Sequence, residues 1–327
     1  MTERLEVSYV LPVRWTSDHG LAELAGYLAQ VSTLVREVIV VDGSPTELRH
    51  AHRAAIDESV RVLRPEPWPG GNGKVAGVMT GVRAAACDRI ILADDDVRYG
   101  ADELRTVAGR LADADLVRPQ NVFTELPWHA RWDTGRSLVN RALSADYPGT
   151  FGIRRSSLLA AGGYAGNVLF ENLELIRTIR AVGGRERIAD DVFVARRPPS
   201  AAQFWSQRVR QAYDDFGQPL RLLFELSLLP LILCAVRRPV AGVGLATVVL
   251  ALAEHGRRRH DGRAHFARSA AVWALPWVAE RAVCVWLALA ARATGGIRYA
   301  GNRLVHAAHS ESSIRRRLAG RARQQSS

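Results

Sequence analysis

With 327 residues, 48% of them hydrophobic and 7% aromatic, the chain is long enough for one large domain, or for a domain of roughly 200 residues with an appendage. Its net charge of +11 suggests nucleic acid only until it is located: residues 292–327 hold eight arginines against Glu311, and residues 254–268 hold five against Glu254 and Asp261. Because the excess lies beside apolar C-terminal segments, it speaks for an anionic membrane surface and against a nucleic-acid groove, while Cys87, Cys234 and Cys284, far apart and without ligand spacing, exclude a zinc or disulfide scaffold and read as packing residues.

In chain order, Val7–Val13 predicts a strand and Gly20–Val35 a helix, from the spacing of Leu21, Leu24, Leu28, Val31 and Val35. Residues 37–41 predict a second strand that ends in the turn Asp42-Gly43-Ser44-Pro45. A helix over Thr46–Ser59 and a weak strand over Val60–Leu63 follow. The Pro/Gly-rich loop 65–73 leads into a helix over Lys74–Ala86. Next comes Ile90-Ile91-Leu92-Ala93-Asp94-Asp95-Asp96, a buried-type strand ending in three carboxylates. This alternation predicts an α/β fold with a parallel sheet between helices.

In such sheets ligands bind beyond the carboxyl ends of the strands. Three acids there repel one another unless a cation joins them, and Mg2+ takes carboxylate and phosphate oxygens. The competing reading is a solvated acidic turn.

After Asp96 the pattern loosens. A helix is expected over 101–112 and a strand over 115–119, then an irregular aromatic stretch over 121–132. Gly135–Ala145 reads as helical, 147–153 as a strand-like end, 169–182 as a helix with acids at its start, 192–195 as a strand and 198–215 as an amphipathic helix. From Leu220 the composition turns apolar, in Leu222–Val236, Val240–Ala253 and Ala270–Ala291. The first two are short for a membrane span, and the third carries Pro276, Glu280 and Arg281. Arginine placement favours two spans followed by an interfacial or re-entrant helix; the competing reading is a soluble helical cap. The first residues, MTERLEVSYVLPV, show no signal pattern, so the N-terminal domain is expected in the cytoplasm.

Four pieces together resemble the family 2, GT-A-type glycosyltransferases that act on membrane-bound acceptors, of the ceramide glucosyltransferase-like and polyprenyl-phosphate glycosyltransferase-like kinds. They are Val7–Val13, Val40-Val41-Asp42-Gly43-Ser44, Asp94-Asp95-Asp96 and Gln207-Arg208-Val209-Arg210-Gln211. The resemblance covers roughly residues 5–215 and implies a GT-A catalytic domain over 1–215. Residues 216–300 then form a membrane-associated helical region, and 301–327 a basic, disordered tail. It implies an inverting transfer of sugar from a nucleotide-diphosphate sugar to a lipid or lipid-linked acceptor at the cell membrane, assisted by Mg2+ or Mn2+.

By that resemblance Asp96, with Asp94, holds the metal at a D-x-D pattern, Asp94 also serves the donor, and Asp42 bonds the nucleobase. A second reading of Asp42 is an acid that closes its turn. Lys74, the only lysine in the chain, is read as reaching the diphosphate, against a surface lysine as the alternative. Gln207 and Arg210 contact donor or acceptor, with Trp205 a possible stand-in where Gln211 replaces the family's Trp. The family's general base, the Asp of a Glu-Asp pair, corresponds here to Asn172, and an amide cannot accept the proton. Glu171 is therefore the expected base, with Glu174 and Asp191 behind it, unless the acceptor is a phosphate that needs none. His129 reads as structural, since no partner His lies at ligand spacing. A sugar-phosphate nucleotidyltransferase and an inactive membrane-docked scaffold are the rival readings.

Overall fold

A computed structural model describes residues 4–144, 146–299 and 301–325. Eight strands, β1 (Leu5–Val13), β2 (Val35–Asp42), β3 (Val60–Leu63), β4 (Arg89–Ala93), β5 (Val97–Arg98), β6 (Leu116–Phe123), β7 (Thr150–Arg154) and β8 (Glu186–Arg196), form one sheet. Their order is β3-β2-β1-β4-β7-β6-β8-β5. The first four strands to run in that order are parallel, β7 is antiparallel to both β4 and β6, and β6 pairs parallel with β8. Helices α1 (Leu21–Leu34), α2 (Thr46–Ala55), α3 (Gly73–Ala84), α4 (Ala101–Arg110), α5 (Trp128–Ala142), α6 (Arg155–Ala160), α7 (Glu171–Ala181) and α8 (Ala201–Tyr213) accompany it.

Strand alternation sorts the core into two layers. Tyr9, Leu11, Val38, Val40 and Ile91 face α1, packing on Leu24, Leu28 and Val31. Val10, Ile39, Val41, Ile90 and Leu92 face α3, packing on Val75, Val78, Met79 and Val82. A strand covered on both sides needs a continuous apolar run, and that is what the sequence of β1, β2 and β4 supplies. Helix α3 approaches β1 so closely that a Cβ on Gly81 would stand 2.3 Å from Val10 Cγ1.

The apolar C-terminal region folds as α9 (Pro219–Arg237), α10 (Pro239–Arg258), the short α11 (Gly262–His265) and α12 (Ala274–Ala293). Three segments are long and apolar enough to cross a membrane: Pro219–Arg237, Pro239–Arg258 and Arg268–Ala293, the last taking in the turn before α12. The α9–α10 hairpin leaves Leu223, Phe224, Val236, Val240, Val243 and Val248 exposed. Helix α12 is different: Trp277, Val278, Arg281, Ala282 and Val285 are buried. Its charges, out of place in a lipid-facing helix, turn inward, where Arg281 meets Asp215 at 3.1 Å and Glu225 at 3.7 Å.

Helix α10 docks on α5 through Gly256, where an added Cβ would lie 1.9 Å from the Leu138 carbonyl oxygen. Gly256→Ala is expected to lower stability by about 1–3 kcal/mol by forcing these helices apart. Gly244→Ala, in the same helix with nothing within 4 Å, should raise it by up to about 1 kcal/mol through helix propensity. Thermal unfolding in detergent compares the two, and equal melting temperatures would refute the close contact.

Several expectations need correction. The stretch 121–132 is helical from Trp128 onward, because Pro127 starts α5 where its missing N–H leaves no bond unmade. Strand β8 runs through Glu186–Arg196, well beyond residues 192–195, since its first half pairs with β6. The helix expected to reach Ala145 ends at Ala142, and Ala145 itself lies outside the described residues. Cys234 is exposed, unlike Cys87 and Cys284. In the C-terminal stretch expected to be disordered, the described residues form secondary structure: β9 (Ile297–Tyr299) and β10 (Asn302–Leu304) make a hairpin, and α13 (Glu311–Gln325) follows. It makes contacts outside the stretch. Ile314 is buried, and Glu174 of α7 accepts hydrogen bonds from the His309 N–H (2.7 Å) and from Arg317 (3.3 Å).

Candidate active site

The ends of β1, β2 and β4 and the start of β7 open onto a cleft of about 550 Å3. Its floor is the acidic triplet. After β4 the chain turns sharply: the Asp94 N–H donates to the Gly149 carbonyl (2.8 Å) and the Val97 N–H to the Asp94 carbonyl (3.1 Å). A Cβ on Gly149 would come within 2.7 Å of Asp94 Oδ2, so glycine there leaves the carboxylate its place.

The three acids have three environments. Asp94 Oδ1 lies 2.6 Å from Lys74 Nζ. Asp95 accepts a hydrogen bond from the Trp15 indole. Asp96 Oδ2 accepts from Arg196 Nε at 2.8 Å, while Asp96 Oδ1 is buried with no hydrogen-bond partner. Burial, together with Asp94 and Asp95, raises the Asp96 carboxyl above its ordinary range, and Arg196 pulls it back only in part. A buried carboxylate oxygen without a donor is costly in a dry site and suited to a cation.

Lys74 sits in the first turn of α3, held there by Asn72, whose side chain caps the helix at Lys74 N (3.1 Å) and donates to the Val168 carbonyl (3.0 Å). Its ammonium also meets Glu171 Oε1 at 2.8 Å, so it is not a surface lysine. Burial alone would lower its pKa, but Asp94 and Glu171 outweigh that and hold it well above the ordinary lysine value. A permanent cation at a helix N-terminus is a ready site for phosphate.

Glu171, Asn172, Gln207 and Arg210 all reach the cleft. Asn172 donates to the Pro148 carbonyl (3.1 Å), an anchoring role that an amide fills well. Arg210 lies over the Tyr299 ring at 5.0 Å.

Other residues singled out in the sequence lie elsewhere. Asp42 stands behind the wall at 1% exposure, with its oxygens engaged by the Ser44 N–H (2.9 Å) and His52 Nδ1 (2.6 Å). Its neighbour Gly43 lines the cleft instead. Glu174 is bound to His309 and Arg317 beneath α13, and Asp191 is paired with Arg110 (2.6 Å) at the surface, so neither backs up Glu171. Trp205 is exposed within a cluster of Trp128, Trp132 and Phe204, away from the cleft. His129 bonds the Pro199 carbonyl (2.8 Å), a structural position.

Three participants escaped the sequence reading. Arg196, at the end of β8, partners Asp96 through a pairing too distant in sequence to be visible. Trp15 follows β1 and binds Asp95 while its ring packs edge-on against His52 at 5.5 Å. Asp214 lines the cleft just beyond α8, half-buried, with Oδ1 closed to solvent and unpartnered. For Asp214 a signal existed: Gln203, Gln207, Arg210 and Asp214 recur at helical spacing along one face.

Residues 24–163 match the family model described as Glycosyl transferase family 2. No curated protein matches the chain. Among solved structures, the mannosyltransferase of Pyrobaculum calidifontis in complex with GDP-Man and Mn2+ is 17% identical with a TM-score of 0.50, over 87% of this chain and 88% of that one. Glucosyl-3-phosphoglycerate synthase of Mycobacterium tuberculosis, in complex with Mn2+, UDP and glucosyl-3-phosphoglycerate, is 18% identical with a TM-score of 0.42, over 62% and 75% of the two chains.

Proposed function

We propose that this chain, whose residues 24–163 match the family model described as Glycosyl transferase family 2, is a glycosyltransferase that moves a sugar from a nucleotide-diphosphate donor to a lipid or lipid-linked acceptor at the cytoplasmic face of the cell membrane. The observation that carries the donor side is the meeting of Asp94, Asp96, Lys74 and Arg210 around one cleft at the strand ends. Lys74 and the N-terminus of α3 supply positive charge for the diphosphate, and Arg210 adds a second cation across the opening. The Asp42–Ser44 turn holds Gly43 at the wall, where close backbone approach suits a nucleobase.

A divalent ion fits the acids. The unpartnered Asp96 Oδ1 calls for a cation, and Asp94 stands beside it. Among the described residues no three His, Cys, Asp or Glu side chains are grouped to hold a metal, so donor phosphates and water would complete the shell, as is common for Mg2+ and Mn2+. Bound there, the ion would act as a Lewis acid on the leaving diphosphate. Transfer by one displacement, with inversion, follows the family resemblance.

The lipid side of the reading is supported by where the apolar hairpin starts. Gln218 and Arg221, at the beginning of α9, and Arg281 of α12 line the same cleft, so the acceptor's reactive end can enter from the helices. Arg257, Arg258 and Arg259 gather where α10 returns to the catalytic domain, as expected for the cytoplasmic end of a span.

Purified protein supplied with a panel of nucleotide-sugars and membrane extract should release nucleoside diphosphate, dependent on Mg2+ or Mn2+ and stopped by chelation. Release of pyrophosphate would point instead to nucleotidyl transfer. Alkaline carbonate should leave the protein in the membrane pellet, and its appearance in the soluble fraction would refute membrane embedding.

A further inference from the structure

We propose that Asp214 is the catalytic base and that the acceptor attacks through a hydroxyl group, whose proton Asp214 takes. This deepens the transferase reading above and rests on it.

The argument begins with the carboxylates that line the cleft. Glu171, the expected base, and Asp94 share the Lys74 ammonium at 2.8 and 2.6 Å. Asp96 is held by Arg196, and Asp95 by the Trp15 indole. Asp215 is fastened between Arg221 (2.9 Å) and Arg281 (3.1 Å). Asp214 differs from all of these. Among the described residues it makes no side-chain hydrogen bond or ion pair, and its Oδ1 is closed to solvent without a donor. Each of the other five acids is occupied by a cation or an indole, which weakens it as a proton acceptor. Asp214 has no such partner.

Its placement fits the role. Gln203, Gln207 and Arg210 present one face of α8 to the cleft, and Asp214 comes one turn after Arg210 on that face. It thus adjoins the donor-binding arginine and the start of α9, between donor and acceptor ends. The charged groups that bear on it most come from four elements: Arg210 from α8, Glu171 from α7, Arg281 from α12 and Arg136 from α5. Burial dominates and, with Glu171, outweighs the three arginines, raising the Asp214 carboxyl from 3.8 to about 7. A base poised there accepts a proton well yet remains largely ionised just above neutral pH.

In the step, the acceptor oxygen forms its bond to the anomeric carbon. The bond from that carbon to the diphosphate oxygen breaks, and its electron pair leaves with the nucleoside diphosphate. The hydroxyl proton moves to Asp214. A phosphate nucleophile would need no base, so a dependence on Asp214 also identifies the acceptor class.

The test compares wild type, Asp214→Asn and Asp214→Glu, with kcat/KM measured across pH and donor affinity measured separately. Wild-type kcat/KM should rise with pH and level off above about 7. Asp214→Asn should lose about a hundredfold to ten-thousandfold in kcat and lose that limb, with donor affinity and melting temperature close to wild type. Asp214→Glu should recover part of the rate and keep a limb at a displaced pH, which a merely structural residue would not do. Asp214→Asn with near-normal kcat and the limb intact overturns the proposal. So does efficient wild-type transfer to an acceptor whose nucleophile is a phosphate. If wild type releases no nucleoside diphosphate from any donor, the transferase reading falls, and this proposal with it.

Discussion

Asp96→Asn lowers sugar transfer by about a hundredfold to a thousandfold while the protein stays folded. The amide keeps the shape of the side chain but loses its negative charge, and it presents N–H donors to Arg196, whose Nε and Nη2 now lie 2.8 Å from Asp96 Oδ2. The unpartnered Oδ1, the proposed ligand of a divalent ion, can no longer serve as a carboxylate. Stability changes little, because the substitution removes one of three mutually repelling acids along with one ion pair. Nucleoside diphosphate release, Mn2+ titration and melting temperature measure the three parts of this expectation. A loss of only a few-fold at saturating Mn2+ would mean that Asp96 is not a metal ligand.

The largest effect on stability is expected from Arg281→Met. Arg281 is 1% exposed and stands between Asp215 and Glu225, which it shares with Arg221. Removing it leaves two buried carboxylates with one cation, and breaking such a pair costs about 3–5 kcal/mol. For a chain of this size that corresponds to a fall in melting temperature on the order of 10 °C. Glu225→Leu in the same molecule should restore part of the loss, since the second change removes the charge the first left unpaired. If the two losses simply add, Arg281 and Glu225 do not interact and the buried network is not what holds α12 to the catalytic domain.

Much of the sheet was readable because β1, β2 and β4 are covered on both faces and must be apolar throughout. The Asp94–Asp96 turn was readable for the same reason, as an abrupt change from apolar to acidic. What could not be read depends on distant pairing. Strand β7 joins the sheet antiparallel beside β4 without any local sign of its direction. Arg196 reaches Asp96 across a hundred residues, and the partners of Glu280 and Arg281 lie in other helices. Asp42 ends β2 at the turn its sequence predicts, while the occupation of its oxygens by the Ser44 N–H and His52 follows from the fold. The arginine-rich C-terminal stretch has the composition of a disordered tail, and its contacts with Glu174 of α7, through His309 and Arg317, have no local sign in the sequence. Glu171 was the reasonable base from position alone; the lysine that neutralises it is ninety-seven residues earlier.

The C-terminal hairpin makes the cleft a joint product of segments on both sides of the apolar helices. After α12 the chain returns to the first domain, where Leu169 and Phe170 donate backbone hydrogen bonds to His306 and Ala307, Asn302 bonds the Gly71 carbonyl at 2.8 Å, and Tyr299 closes one side of the cleft. These residues follow all the long apolar helices in sequence, so the cleft draws on segments from both sides of that region. A fragment that stops before α9 therefore lacks the wall that Tyr299 provides, and the apolar helices and the cleft cannot be separated without opening it.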